Sequence, residues 1–117
     1  MNELLCHLIG DYILQNDWMA LNKHKSKWIA FFHGFMYSLP FIFLTKNLLI
    51  LLIIGLSHAI IDHWKMANFI GQFKNFNFKT PDGFNPDRPI WLTVWLGIIV
   101  DNTMHLLINH LSLNLIK

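Results

Sequence analysis

This chain is poor in cysteine, in arginine and in charge generally. Cys6 is the only cysteine, which excludes an internal disulfide and any zinc motif built on paired thiolates. Arg88 is the only arginine, and charged residues make up 14% of the 117 positions, against about 25% in soluble domains. The N-terminus lacks a basic start, and Asp11, Gln15, Asn16 and Asp17 interrupt the first apolar stretch, so no cleavable signal is expected. What fills the chain instead is hydrophobic: 54% of residues, with a mean hydropathy of +0.39, gathered into long blocks of the kind that cross membranes. At this length one domain is expected, over residues 1–117.

Four apolar segments carry the pattern. The first, about 4–21, is the least hydrophobic; His7, Asp11 and Gln15 fall at successive i+4 positions and form one polar stripe. It either spans fully or ends near Asn16–Asp17, where Asp17 could cap a helix. The second, about 28–44, has no formal charge, a stripe of His33 and Tyr37, and Pro40 near its far end as an expected kink. The third, about 48–64, begins as the most apolar run and gathers Ser57, His58, Asp62 and His63 at its end. The fourth, about 89–113, opens on Pro89, suited to a first helical turn, and carries Gly97, Asp101, His105 and Asn109 at i+4 steps. Between the third and fourth, residues 65–88 hold the breakers Pro81, Gly83 and Pro86 and scattered phenylalanines among lysines. This reads as a surface loop with a short interfacial helix over Met66–Phe73. Beside a membrane, aromatics among lysines favour interfacial anchoring over nucleic acid, so no nucleic-acid partner is expected.

The fold class predicted is all-α, an integral membrane four-helix bundle with a cytoplasmic loop between helices 3 and 4. Lys23, Lys25 and Lys27 follow the first segment, and Lys65, Lys74, Lys79 and Arg88 follow the third; basic loops stay cytoplasmic, which puts both termini on the non-cytoplasmic side of a bacterial inner membrane. Trp18, Trp28, Trp64 and Trp91 fall at the same ends, as an interfacial belt would.

Three segments each carry one His and one Asp at i,i+4: His7/Asp11, His58/Asp62 and Asp101/His105. Lipid leaves polar stripes nowhere to face but one another, so four helices would enclose these six residues and His33. No Lys or Arg lies within the segments to neutralise the acids. A divalent metal could do so, with Zn, Mn or Fe suited to imidazole and carboxylate; protons could; or the pairs could be hydrogen-bonded glue between helices. Depth counted at 1.5 Å per residue puts His33, His58 and Asp62 shallow and His7, Asp11, Asp101 and His105 deeper, which divides the polar groups into two layers unless the first segment ends early or the fourth is tilted. Single residues read blandly: Cys6 as packing, His24 as a solvated loop residue, His63 and His110 off the stripes, Asn102 and Asn109 as interhelical hydrogen bonds.

The motifs also carry a resemblance. His7-Leu8-Ile9-Gly10-Asp11-Tyr12-Ile13-Leu14-Gln15 with Trp18-Met19-Ala20 and Lys23, then His33-Gly34 with Tyr37, His58-Ala59-Ile60-Ile61-Asp62 with Lys65, and Asp101-Asn102-Thr103-Met104-His105-Leu106 resemble, in order, the motifs of a family of small phage and bacterial membrane proteins of unknown function. The His/Asp pattern is more loosely similar to membrane-bound, metal-dependent hydrolases. That likeness implies a metal site at His7, Asp11, His33, His58, Asp62, Asp101 and His105, with Gln15 and Lys65 beside it in contact with substrate. The chain is short for the family, with no soluble portion after the fourth segment.

The leading expectation is a metal-dependent hydrolase acting at the bilayer on a lipid-linked or phosphorylated substrate, with Asp62 and His33 as the groups for catalytic proton transfer. The alternative is a phage or prophage membrane effector that binds a host membrane protein, with structural His/Asp pairs. A third is ion or proton transport, which four short helices could perform only as a homo-oligomer.

Overall fold

Asparagine supplies half of the α-helix starts. Asn2, Asn16 and Asn47 each hold extended backbone, and each side-chain oxygen accepts a backbone N–H from the first turn that follows, the N-cap arrangement. They open α1 (Glu3–Leu8), α2 (Asp17–Asn22) and α4 (Leu48–His63). The cap of α2 is thus Asn16 rather than Asp17, whose carboxylate lies in the first turn and favours the helix dipole. α3 (Lys27–Ser38) continues through Pro40 as the 3₁₀ turn Leu39–Phe43, so the proline tightens the helix end. α5 (Met66–Lys74) falls where a short helix was expected, after a turn at Lys65 in the left-handed region (φ 50°). α6 (Ile90–Leu115) is one helix of 26 residues. The computed structural model describes residues 1–116, and these contain helices and turns with no strand.

The first segment departs from the single helix expected over about 4–21. α1 passes at Ile9 into a π-helical stretch, Ile9–Ile13. There the Leu14 N–H donates to the Ile9 carbonyl at 2.9 Å, an i→i+5 bond. The chain then leaves helix until Asn16 caps α2. The cause is local: Gln15-Asn16-Asp17 supplies a capping side chain where the apolar run ends, and Gly10 lies directly on α3 at Tyr37.

The core is unusual in what it holds. Cys6, Tyr37, Phe41, Ile50 and Ile54 form an apolar cluster. Beside it His7, Asp11, His33, His58, Asp62, His105, Asn109 and Ser112 are all buried. Large apolar side chains such as Phe35, Leu48, Leu52, Ile90, Trp95, Ile99 and Leu107 are exposed. α3 and α4 pack so closely that a side chain at Gly34 would collide with the Gly55 carbonyl oxygen. That contact sets His33 and His58 on facing walls.

Among the described residues, α6 alone is long and apolar enough by itself to cross a membrane, and only 6% of its most apolar stretch is buried; α4 and α5 qualify as a pair, bent by 67°. Four separate long spans are not what the structure contains. α1 and α2 are short and broken apart, and α3 gives way to a 3₁₀ turn after Ser38.

Candidate metal centre

The π-helical stretch decides what the first segment contributes. In a regular α-helix His7 and Asp11 would share a face. The wider turn between them breaks that register, and the two side chains part company. Asp11 goes to the centre: its Oδ1 lies 3.4 Å from His33 Nε2 and 3.6 Å from His58 Nε2. His7 goes to a separate hydrogen-bonded chain. Asn109 Nδ2 donates to the Tyr37 hydroxyl at 2.8 Å, and that hydroxyl lies 2.7 Å from His7 Nδ1. With its oxygen accepting from Asn109, Tyr37 donates its proton to His7, and His7 Nε2–H then donates to Asn102 Oδ1 at 3.0 Å. Both His7 nitrogens are engaged, so of the seven residues expected at a metal site His7 is the one that does not join it. Asn102 and Asn109 make the interhelical hydrogen bonds expected of them.

The other six converge. Donor atoms of Asp11, His33, His58 and Asp62 all lie within 4.8 Å of one another, and so do those of Asp11, Asp101 and His105. Asp62 faces both groups: Oδ2 is 3.1 Å from His58 Nε2 and 3.5 Å from His33 Nε2, while Oδ1 is 3.1 Å from His105 Nε2. Asp101 Oδ2 is 3.3 Å from His105 Nε2. The two layers inferred from helix depth are therefore a single cluster for these six, because the first segment bends and carries Asp11 to the level of His33. His33 Nε2 and His58 Nε2 stand 2.9 Å apart. Two imidazole lone pairs at that distance repel unless a proton or a cation lies between them. The Nδ1 atoms of both rings are buried without a hydrogen-bond partner. Packing holds these rings instead: Tyr37 stacks on His58 with centroids 3.6 Å apart and planes 13° from parallel.

Lys23 overturns the expectation that no basic residue neutralises the acids. The break at Leu14–Asn16 lets α2 carry it in. Its Nζ donates to Asp62 Oδ2 at 2.8 Å and to Gln15 Oε1 at 2.7 Å. Gln15 therefore reaches the site through Lys23. The sequence signal that could have found Lys23 is the polar run ending the first segment, which marks a chain reversal rather than a span. His24, expected as a solvated loop residue, is tied to α4 through Nδ1, 2.7 Å from the Asp62 carbonyl oxygen. Partial burial pushes its imidazole pKa down from the ordinary value, and since a carbonyl oxygen can only accept, Nδ1–H is the donor. His63 Nδ1 donates in the same way to the Lys23 carbonyl at 2.8 Å, so these two rings pin the α2–α3 connection to the end of α4.

A cavity of about 340 Å³ opens beside the cluster, lined by Lys23, His24, Asp62, Lys65, Gly97 and Asp101 among others. Asp101 is the accessible edge: its side chain is 30% exposed, against 8% for Asp11 and 3% for Asp62. Lys65 lines this cavity without a carboxylate partner among the described residues.

No curated protein and no solved structure matches the chain. A family model does: residues 1–115 match the family described as "Protein of unknown function (DUF3307)". With nearly the whole chain inside that match, this protein is a member of the DUF3307 family.

Proposed function

We propose that the chain is a membrane-embedded protein that holds a divalent metal at Asp11, His33, His58 and Asp62 and uses it for hydrolysis. One observation carries the metal: imidazole nitrogens and carboxylate oxygens from α3, α4 and the π-helical stretch meet within 4.8 Å. With the imidazoles neutral, three carboxylates and one ammonium give the cluster a net charge of −2, which one divalent cation would balance. Two histidines and two carboxylates suit Zn, Mn or Fe. The membrane reading is supported by apolar side chains outside and histidine and aspartate inside, the reverse of a soluble domain, and by the exposed surface of α6.

A metal here would supply an activated water near neutral pH. The cavity supports hydrolysis because it gives that water one side to be approached from, at Asp101. In this reading Asp101, 3.3 Å from His105, would take the proton of the attacking water. Asp62 and His33, the catalytic candidates from sequence, act in this reading as ligands.

The test is elemental analysis of detergent-purified protein beside Asp62→Ala, with helicity measured on both. The expected result is one equivalent of metal in the wild type and none in a folded variant. Absence of metal from both, after reconstitution with Zn, Mn and Fe, overturns the proposal. The Lys23–Asp62 ion pair favours a second reading, in which Lys23 and protons on the imidazoles balance the acids, the cluster is structural glue and the exposed surface engages a host membrane protein. That reading expects no metal and mild effects of Asp→Asn changes.

A further inference from the structure

Residues 65–88 carry a backbone feature that the metal centre does not use. Lys65 (φ 50°) and Phe76 (φ 49°) are the two non-glycine residues with left-handed backbone among the described residues, and they bracket α5. Lys65 stands at the 67° bend between α4 and α5. Phe76 ends α5: its N–H donates to the Phe73 carbonyl at 3.2 Å, and the Asn77 N–H donates to the Gln72 carbonyl at 3.0 Å. Those are the paired hydrogen bonds of a left-handed helix C-cap, and Phe76 stands where glycine is usual. A bulky side chain at positive φ is strained, and such strain persists only where something maintains it. Packing of the ring does not, because Phe76 is 90% exposed.

The rest of the segment is ordered, with apolar groups turned outward. Ala67, Asn68 and Gly71 share the inner face of α5: the first two line the cavity beside the metal centre, and Gly71 lies against the Asp82 carbonyl oxygen. Phe69, Ile70 and Phe73 fall on the opposite face by the helical period and are exposed. The Gln72 amide donates to the Thr80 and Pro81 carbonyls at 3.1 and 3.2 Å, and the Thr80 hydroxyl donates to the Phe84 carbonyl at 3.1 Å. This frame buries Phe84 and leaves Phe76 and Phe78 outside. Lys74 and Lys79 are exposed in the same stretch, and neither forms an ion pair among the described residues.

We propose that the outer face of α5 and the turn at Phe76 form an interfacial anchor: Phe69, Ile70, Phe73, Phe76 and Phe78 enter the headgroup–acyl boundary of a bilayer, and Lys74 and Lys79 meet lipid phosphates. The inference rests on the membrane part of the proposed function and names a contact with the bilayer beyond α6. Two observations favour lipid over a protein partner. Apolar rings among unpaired ammonium groups complement an anionic membrane surface, where the rings go below the headgroups and the cations stay at the phosphates. α5 also packs against α6, the helix with the exposed apolar stretch, and a bend of 67° from a membrane-crossing α4 turns α5 toward the membrane plane. Because Ala67 and Asn68 line the cavity, seating α5 in the headgroup region brings that cavity to the membrane surface.

The test is spin-label accessibility in the full chain, reconstituted into vesicles of phosphatidylcholine and phosphatidylglycerol. Cys6 is buried, so a nitroxide attaches at one introduced cysteine: Ile70→Cys or Phe78→Cys in the anchor, or Ile99→Cys on the exposed surface of α6. Relaxation by oxygen, which partitions into lipid, is compared with relaxation by chromium oxalate, which stays in water; a free water-soluble nitroxide gives the aqueous value. Labels at all three positions should favour oxygen. Phe76→Gly should move the labels at Ile70 and Phe78 toward the aqueous value and leave the label at Ile99 unchanged. Glycine suits the turn better than phenylalanine, so unfolding does not explain that shift, and helicity measured on each sample checks it. If the Ile99 label is in lipid while those at Ile70 and Phe78 are aqueous, or are shielded from both reagents by a protein contact, the anchor is wrong and the membrane reading stands. Unchanged labels at Ile70 and Phe78 in Phe76→Gly overturn the role given to Phe76. If the Ile99 label is aqueous as well, the membrane reading itself fails, and the anchor with it.

Discussion

Gly10→Ala is the sharpest probe of the metal centre, because it changes no candidate ligand. A Cβ at residue 10 would lie 2.8 Å from both Tyr37 Cδ2 and the Tyr37 carbonyl oxygen, where ordinary contact begins at 3.4 Å. The π-helical stretch and α3 would have to separate by about 0.6 Å. Two of the obstructing atoms are α3 backbone or bonded directly to it, so rotation of a side chain does not relieve the clash. The displacement reaches the centre by two routes: Asp11 is the next residue, and Tyr37 is the ring stacked on His58. Metal–ligand distances tolerate about 0.2 Å, so a shift of this size costs metal before it costs fold. Overpacking of this kind destabilises by roughly 1–3 kcal/mol. Loss of ligand support by neighbours costs about 10–100-fold in metal affinity. The assay is competitive metal titration against a chromophoric chelator, with helicity and thermal melting measured in parallel and Gly97→Ala as the unobstructed control. Affinity within about twofold of wild type in Gly10→Ala would refute the reasoning, since Asp11 could not then be a ligand fixed by that contact. A double variant with Asp11→Asn sharpens the result: if the glycine acts through Asp11, the two losses are not additive.

Lys23→Gln removes the cation on Asp62; breaking a buried pair costs about 3–5 kcal/mol, so the metal-free protein should melt lower and the stabilisation gained on adding metal should be larger than in wild type. Thermal scans with and without metal check both. Tyr37→Phe keeps the ring over His58 and deletes the hydroxyl that serves His7 and Asn109; a loss of about 1–3 kcal/mol in stability with unchanged metal stoichiometry is expected, and a loss of metal would mean that His7 belongs to the centre after all. Chelation of the wild type should lower its melting temperature, since a metal held at a hundredfold excess over its Kd contributes about 2.7 kcal/mol. Asp62→Ala should abolish that response.

How much could be read in advance follows from the kind of signal each residue gave. The i+4 steps of His58/Asp62 and Asp101/His105 lie within regular helices, α4 and α6. Regular periodicity survives folding, so those pairs stand where counting put them. His7 and Asp11 have the same spacing, but the chain between them is π-helical, and a one-residue change in register turns two neighbours on a stripe into members of different networks. No residue type announces that change. Gly10 does so only once Tyr37 is known to lie against it.

By itself, then, the sequence determined the all-α class, the burial of histidine and aspartate among apolar residues, and the two pairs on α4 and α6, because composition and a fixed helical period act locally. Tertiary structure alone decided that Asp11 enters the centre while His7 leaves it, that Lys23 returns on α2 to pair with Asp62, and that Gly97 borders a cavity rather than a neighbouring helix. Those outcomes depend on where the chain bends and on which surfaces then meet, and such contacts between residues distant in sequence leave no periodic trace.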